Sequence, residues 1–478
     1  MDRRQFLSTL VIGACAGVLP RFAFADDVAG ATCRVFTDQV IGRVQADFMG
    51  LSYEANQLAH PDVFNSKNAG LIGHVRTLGA KGVLRIGGNS SEFTVWNPEA
   101  DADLSDIPIP YNPGKKHRRT AVSKEAIDNL RTFLDAVDWN LIYGLNLGMG
   151  TPEQAAEEAD YVVKTMGDRL LYLQIGNEPD LYHKNGLRPS TYAWDDFYAE
   201  WSKFADAVVA STPKTPFAGP DVAGNVEWIK SLSEKAHDRI GLLTGHYYAE
   251  GPPTNPAMTI ERLLAGKPKL VTDIAKIVDI CNSSKLPYRM AECNSCYSGG
   301  KTGVSDTFAS ALWAADYMLQ LATAGYLGVN FHGGGNGIYT PIAGEPASGF
   351  SARPLYYGLL VAGQFAGLEM VKADFDSQGV NATAYAARGA NETRLLVVNK
   401  DMHRSITVDV DAGSHARSGK LWRLTAPAVD ATSGVTLAGA QVSTDGQWAP
   451  SSEERVDVRG GQCKVDVPAA SAALLFLG

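Results

Sequence analysis

Across residues 48–334 the chain alternates eight short apolar runs with longer stretches whose apolar residues recur at helical spacing. The runs are FMGLSYE (48–54), GVLRIGG (82–88), NLIYGLNLG (140–148), LLYLQIGNE (170–178), PFAGPD (216–221), GLLTGHYY (241–248), PYRMAEC (287–293) and LGVNFHGG (327–334). SKEAIDNLRTFLDAV (123–137) and DTFASALWAADYMLQLATA (306–324) are typical of the helical stretches between them. Eight strands alternating with helices predict a (β/α)8 barrel in both count and length. A doubly wound open sheet would also alternate, but it rarely needs so many parallel strands, and no Gly-rich dinucleotide fingerprint follows the first run.

Beyond about residue 362 the texture changes to short alternating segments broken by Gly, Asn and Asp, as in ATAYAARGANETRLLVVNKD, SITVDVDAG and RVDVRGGQCKVDVPAASAALLFLG. These predict an all-β sandwich. ATCRVFTDQVIGRV (31–44) is also strand-like, and joining it to the sandwich would bring the termini together. The expected organisation is a leader over 1–25, an N-terminal strand over 31–45, a barrel over 46–361 and a sandwich over 362–478.

The 478 residues suffice for one large domain and a smaller one, and the net charge of −9 argues against nucleic acid as a partner. MDRRQFLSTLVIGACAGVLPRFAFADD joins paired arginines to an apolar run and small residues, and predicts a twin-arginine export leader cut near Ala25, leaving the protein periplasmic or secreted. The alternative is a lipid anchor on Cys15 of IGAC (12–15). The run falls short of the roughly 20 apolar residues of a membrane span, and no other segment qualifies. Five cysteines follow the leader. CNSC (293–296) has no second Cys or His pair at metal spacing, so buried thiols are expected and neither a metal nor an organic cofactor is implied.

A barrel of this kind works at the C-terminal ends of its strands. The polar residues expected there are Glu54, Asn89, Asn177, Glu178, Asp221, His246, Tyr248, Glu292 and His332. Strands four and seven lie across the mouth from one another, so Glu178 and Glu292 would face each other over a pocket. Two opposed carboxyls are what glycosidic cleavage requires: an acid for the leaving oxygen, and a carboxylate to attack the anomeric carbon or to activate water. Tyr248 is the expected hydrogen-bond partner of Glu292, with Tyr247 open until the pleat is known. Asp221 suits a helix cap or loop brace as well as it suits sugar contact, His246 suits a satisfied core histidine, and His332 a turn.

IGNEPDLY (175–182), GPDVAG (219–224), HYYAEG (246–251), AECNSCYSGG (291–300) and SDTFASALW (305–313) resemble glycoside hydrolase family 79, the heparanase and microbial β-glucuronidase family of the retaining barrel clan. The resemblance implies that Glu178 is the general acid/base and Glu292 the nucleophile, with carboxyls about 5 to 5.5 Å apart and retained anomeric configuration. It implies that Asn177 bonds the sugar 2-OH, and that Glu54 and Asn89 contact hydroxyls at the non-reducing end. It further implies that neutral donors hold the sugar carboxylate: Tyr297 and Gly299 after strand seven, with Gly300 as an alternative donor beside them, and Tyr339 in GNGIYTP (335–341) after strand eight. Internal cleavage of heparan sulfate calls for a long basic cleft, whereas the most basic stretch here is GKKHRR (114–119), which reads as a solvated loop. The expected activity is therefore an exo-acting β-glucuronidase on a glucuronic-acid-containing glycoside. The alternatives are a heparanase-like endo-enzyme, a neutral-sugar β-glycosidase and a non-catalytic carbohydrate-binding protein.

Overall fold

The computed structural model describes residues 28–97, 109–112 and 119–478. The expected leader and residues 114–118 of the basic stretch lie outside the described residues. Eight strands close into a barrel: Met49–Glu54, Val83–Gly87, Asn140–Leu145, Leu170–Ile175, Phe217–Val222, Ile240–Glu250, Tyr288–Cys296 and Gly328–Gly333. Every neighbouring pair is parallel, and strand eight closes on strand one. Each apolar run of the sequence is thus a barrel strand, counted below from one to eight. Their near-continuous burial follows from side chains filling the barrel on one face and meeting helices on the other.

A helix follows each strand: Ala69–Leu78, Lys124–Val137, Pro152–Met166, Trp194–Ser211, Val226–Lys235, Pro268–Ser284, Phe308–Thr323 and Pro354–Gly363. Local chemistry starts several of them. Ser123 accepts from the Ala126 N–H, and Thr151 forms a capping box with Gln154 ahead of Pro152. Helices Phe308–Thr323 and Pro354–Gly363 are buried on nearly all sides rather than amphipathic, because the β domain covers their outer faces.

That domain is a curled, mainly antiparallel sheet of ten strands. The N-terminal strand Val28–Arg43 lies within it, antiparallel to Glu369–Asp376 and parallel to Ser405–Asp411. Thr393–Asn399 and Ser471–Leu477 are apolar in succession for a topological reason. Leu395 and Val397 enter the sandwich core, while Leu396 and Val398 pack toward the barrel helices. The five described cysteines are free thiols, four of them buried. No described helix is long and apolar enough to cross a membrane.

Candidate active site

The chain leaves strand four through Gly176 and enters a tight turn in which Gly176 has φ +87° and Glu178 φ +50°. A non-glycine residue in this left-handed region costs on the order of 1–3 kcal/mol and persists only where its surroundings impose it. The imposing contacts are main-chain bonds from Gly176 N–H to Leu145 O (3.1 Å) and from Glu178 N–H to Asp221 O (2.8 Å). Glu292 sits on strand seven at a break in register, between Met290 and Glu292 toward strand six and between Met290 and Cys293 toward strand eight. Such a bulge re-aims a side chain, here into the barrel mouth. Oxygen atoms of the Glu178 and Glu292 carboxyls lie within 4.8 Å of each other and of a His246 ring nitrogen.

Glu292 is held at both oxygens. Tyr248 Oη donates to Oε1 (2.6 Å), and Arg85 Nη1 donates to Oε2 (2.6 Å). Tyr247 points out of the barrel and stacks on Tyr317, so the pleat gives Tyr248 to the mouth. Burial alone would raise the Glu292 carboxyl, but His332, His246 and Arg85 outweigh it and hold the group well below the usual carboxylate range. Among the described residues no guanidinium lies against Glu178; its Oε1 lies 3.0 Å from His246 Nδ1.

Arg85, from the middle of strand two and 1% exposed, forks through this cluster. It bonds Glu292, Asp221, Asn177 Oδ1 (2.8 Å), Gln174 Oε1 (3.1 Å) and Ser52 Oγ (3.1 Å). Nothing in the expectations above singled it out, although an arginine inside GVLRIGG was a visible anomaly. Asp221 is neither a helix cap nor exposed to a ligand. It is buried, paired with Arg85, 3.2 Å from His246 Nε2, and bonded by Gln174 Nε2 (2.7 Å). Burial pulls the His246 pKa down, yet Asp221 and Glu292 push it up to about 10, so the ring is an imidazolium between three carboxyls. His332 does more than form a turn: its buried ring lies 3.5 Å from both Glu54 and Glu292 and 3.0 Å from Ser52 Oγ.

The other expected residues fall into two groups. Asn177 is buried beside Glu178 and donates to Asn89 Oδ1 (3.2 Å), and Glu54 accepts from the Ser90 N–H (2.7 Å) and hydroxyl (2.6 Å), so these three line one side of the mouth. Tyr339 is 8% exposed, its ring 6.2 Å from those of Tyr248 and His332. Tyr297, 43% exposed, packs over Gly251 at the rim, and Gly299 and Gly300 take left-handed φ of +91° and +94° beside it. Neither Tyr297 nor Gly299 touches the two glutamates. The Cys293 and Cys296 thiols are buried on strand seven and belong to no metal-ligand grouping among the described residues.

The family model for the glycosyl hydrolase family 79 C-terminal beta domain matches residues 384–474, within the sandwich. A β-glucuronidase of Aspergillus niger is 25% identical over 88% of this chain and 88% of its own. A bovine heparanase is 22% identical over 60% of this chain and 61% of its own. Among solved structures, a 4-O-α-L-rhamnosyl-β-D-glucuronidase from Fusarium oxysporum superposes with a TM-score of 0.72 at 19% identity, covering 94% of this chain and 99% of that one.

Proposed function

We propose that this chain, which belongs to glycoside hydrolase family 79 and is a glycoside hydrolase, removes terminal β-D-glucuronosyl residues with retention of configuration. The observation that carries the reading is the pair of carboxyls at the barrel mouth with oxygens within 4.8 Å. That proximity supports a retaining pair, about 5–5.5 Å apart, over an inverting pair, about 6.5–9.5 Å apart. In the first step Glu292 attacks the anomeric carbon while Glu178 gives its proton to the departing oxygen. Arg85 and Tyr248 keep Glu292 ionised and aimed. In the second step Glu178 takes a proton from water, the water oxygen attacks the anomeric carbon, and Glu292 leaves as carboxylate. Asn177, Asn89 and Glu54 serve the sugar hydroxyls. Tyr297, Gly299 and Tyr339 serve the sugar carboxylate with neutral donors, each bond to the charged group contributing roughly 1.5–3 kcal/mol.

The test compares three substrates: p-nitrophenyl β-glucuronide, the corresponding β-glucoside and a heparan-type polymer. The expected outcome is turnover of the glucuronide well above the other two, lost on Glu178→Gln or Glu292→Gln. Dominant polymer cleavage would favour an endo-enzyme akin to the heparanases, and equal use of glucoside would remove the carboxylate assignment. Undiminished hydrolysis by either Gln variant would reject the two-glutamate mechanism. Tyr339→Phe is expected to lower kcat/KM for the glucuronide by about 10-fold or more while leaving the glucoside nearly unchanged.

A further inference from the structure

Glu92 is fully buried in the short 3-10 turn Asn89–Glu92 after strand two, and the mechanism above makes no use of it. A carboxyl in such a place is costly unless its oxygens are occupied. One oxygen accepts from the main-chain N–H of Asn177, the other from that of Gly148 (2.5 Å). Asn177 lies between Gly176 and Glu178, the two left-handed residues of the turn after strand four. The three successive N–H groups of that turn therefore have three separate anchors: Leu145 O, the Glu92 carboxyl and Asp221 O. Two of the anchors are main-chain carbonyls, which no substitution removes; the third is a side chain.

Gly148 is pinned from its other side as well, because Arg188 donates to its carbonyl (2.8 Å) and to that of Leu147 (3.1 Å). A Cβ at Gly148 would come within 2.7 Å of a Glu92 oxygen, so the backbone approaches the carboxyl as closely as glycine allows. The loops after strands two, three and four are thus tied at one point, directly beneath the residue that carries Glu178.

We propose that Glu92 is a positioning residue for Glu178: its carboxyl, by holding the Asn177 and Gly148 N–H groups, fixes the left-handed turn that aims the acid/base at the glycosidic oxygen. The proposal rests on the acid/base reading of Glu178. Burial raises the Glu92 carboxyl to about 7, against the lowering effects of Tyr182 and the two N–H donors, as expected of a group kept for its geometry rather than its charge.

The experiment measures kcat/KM, which reports glycosyl transfer to the enzyme, on aryl β-glucuronides of different leaving ability. Phenyl glucuronide needs protonation of its leaving oxygen, whereas 2,4-dinitrophenyl glucuronide hardly does. Glu92→Gln offers one acceptor oxygen and sets an NH2 against the second N–H. It is expected to lower kcat/KM for the phenyl substrate by about 10-fold or more and for the dinitrophenyl substrate by less than about 3-fold, with KM little changed. An equal loss on both substrates, or no loss on either, overturns the proposal. If Glu92→Gln does not fold, Glu92→Asp, which keeps the charge but shortens the reach, is measured for the same ratio. A wild-type enzyme that cleaves another aryl glycoside instead would overturn the sugar assignment alone, and the ratio would then be read on that glycoside. If Glu178→Gln retained full activity on the phenyl substrate, the acid/base reading itself would fall, and the proposal with it.

Discussion

Arg85 concentrates in one side chain what the mouth of the barrel requires electrostatically. Its fork satisfies Glu292 and Asp221 together, a geometry that the single ammonium of lysine cannot reproduce. Arg85→Lys is therefore expected to reduce kcat/KM by about 100-fold, the scale of losing one or two charge-assisted bonds of roughly 1.5–3 kcal/mol. Losing the guanidinium weakens one of the three cations that offset burial at Glu292, so its carboxyl should rise and the acid limb of the pH–rate profile should move to higher pH. A profile of kcat/KM against pH checks both, and a loss of rate with an unmoved acid limb would contradict the assigned role. The two glutamates differ in their contacts: Arg85 and Tyr248 bond Glu292, whereas the His246 ring lies against Glu178.

At the scale of elements, helix Pro152–Met166 lies over strand three through a buried pair in which Tyr143 Oη donates to Glu158 Oε1 (2.6 Å). Burial raises the Glu158 carboxyl to about 7, with only the Tyr143 bond opposing. The folded pKa thus stands above the ordinary value, so the folded state favours the protonated form. That contribution is complete below about 4.5 and is lost as pH rises through about 7. Glu158→Gln, neutral at every pH, should therefore gain stability relative to wild type between pH 5 and pH 8, by on the order of 1–3 kcal/mol at the upper end. Thermal unfolding at the two pH values measures this, and a difference independent of pH would refute it. The helix itself was legible in the sequence, since its start signal and apolar spacing are local. The burial of Glu158 was not, because it depends on Tyr143 from the preceding strand.

For the molecule as a whole, the decisive contact is the seam between barrel and sandwich. Asp316, on a barrel helix, accepts from Thr383 (2.6 Å), Tyr385 (2.6 Å) and Lys400 Nζ (2.5 Å), all from the sandwich. The Lys400 and Asp316 side chains are only 7% and 17% exposed. Asp316→Ala would strand a buried ammonium and is expected to cost about 3–5 kcal/mol. Because helices Phe308–Thr323 and Pro354–Gly363 are buried on both sides, barrel and sandwich should unfold together, and the variant should lower the temperature of a single calorimetric transition. Two separated transitions in the wild-type protein would show that the seam does not couple them.

The sequence by itself determined the eight strands and the helices between them, and marked Glu178 and Glu292 as polar residues closing apolar runs, because apolar periodicity and the polarity that ends it are written within a few neighbouring residues. It also carried the apolar succession of Thr393–Asn399, without saying why both faces are covered. Only the tertiary structure decided that Arg85, Asp221, His246 and His332 surround the two glutamates, that Glu92 reaches the turn before Glu178, and that Tyr248 rather than Tyr247 enters the mouth. Those residues come from strands two, five, six, seven and eight and from the turns after strands two and four. They meet only when the barrel closes, and closure sets distances that no local pattern of residues encodes.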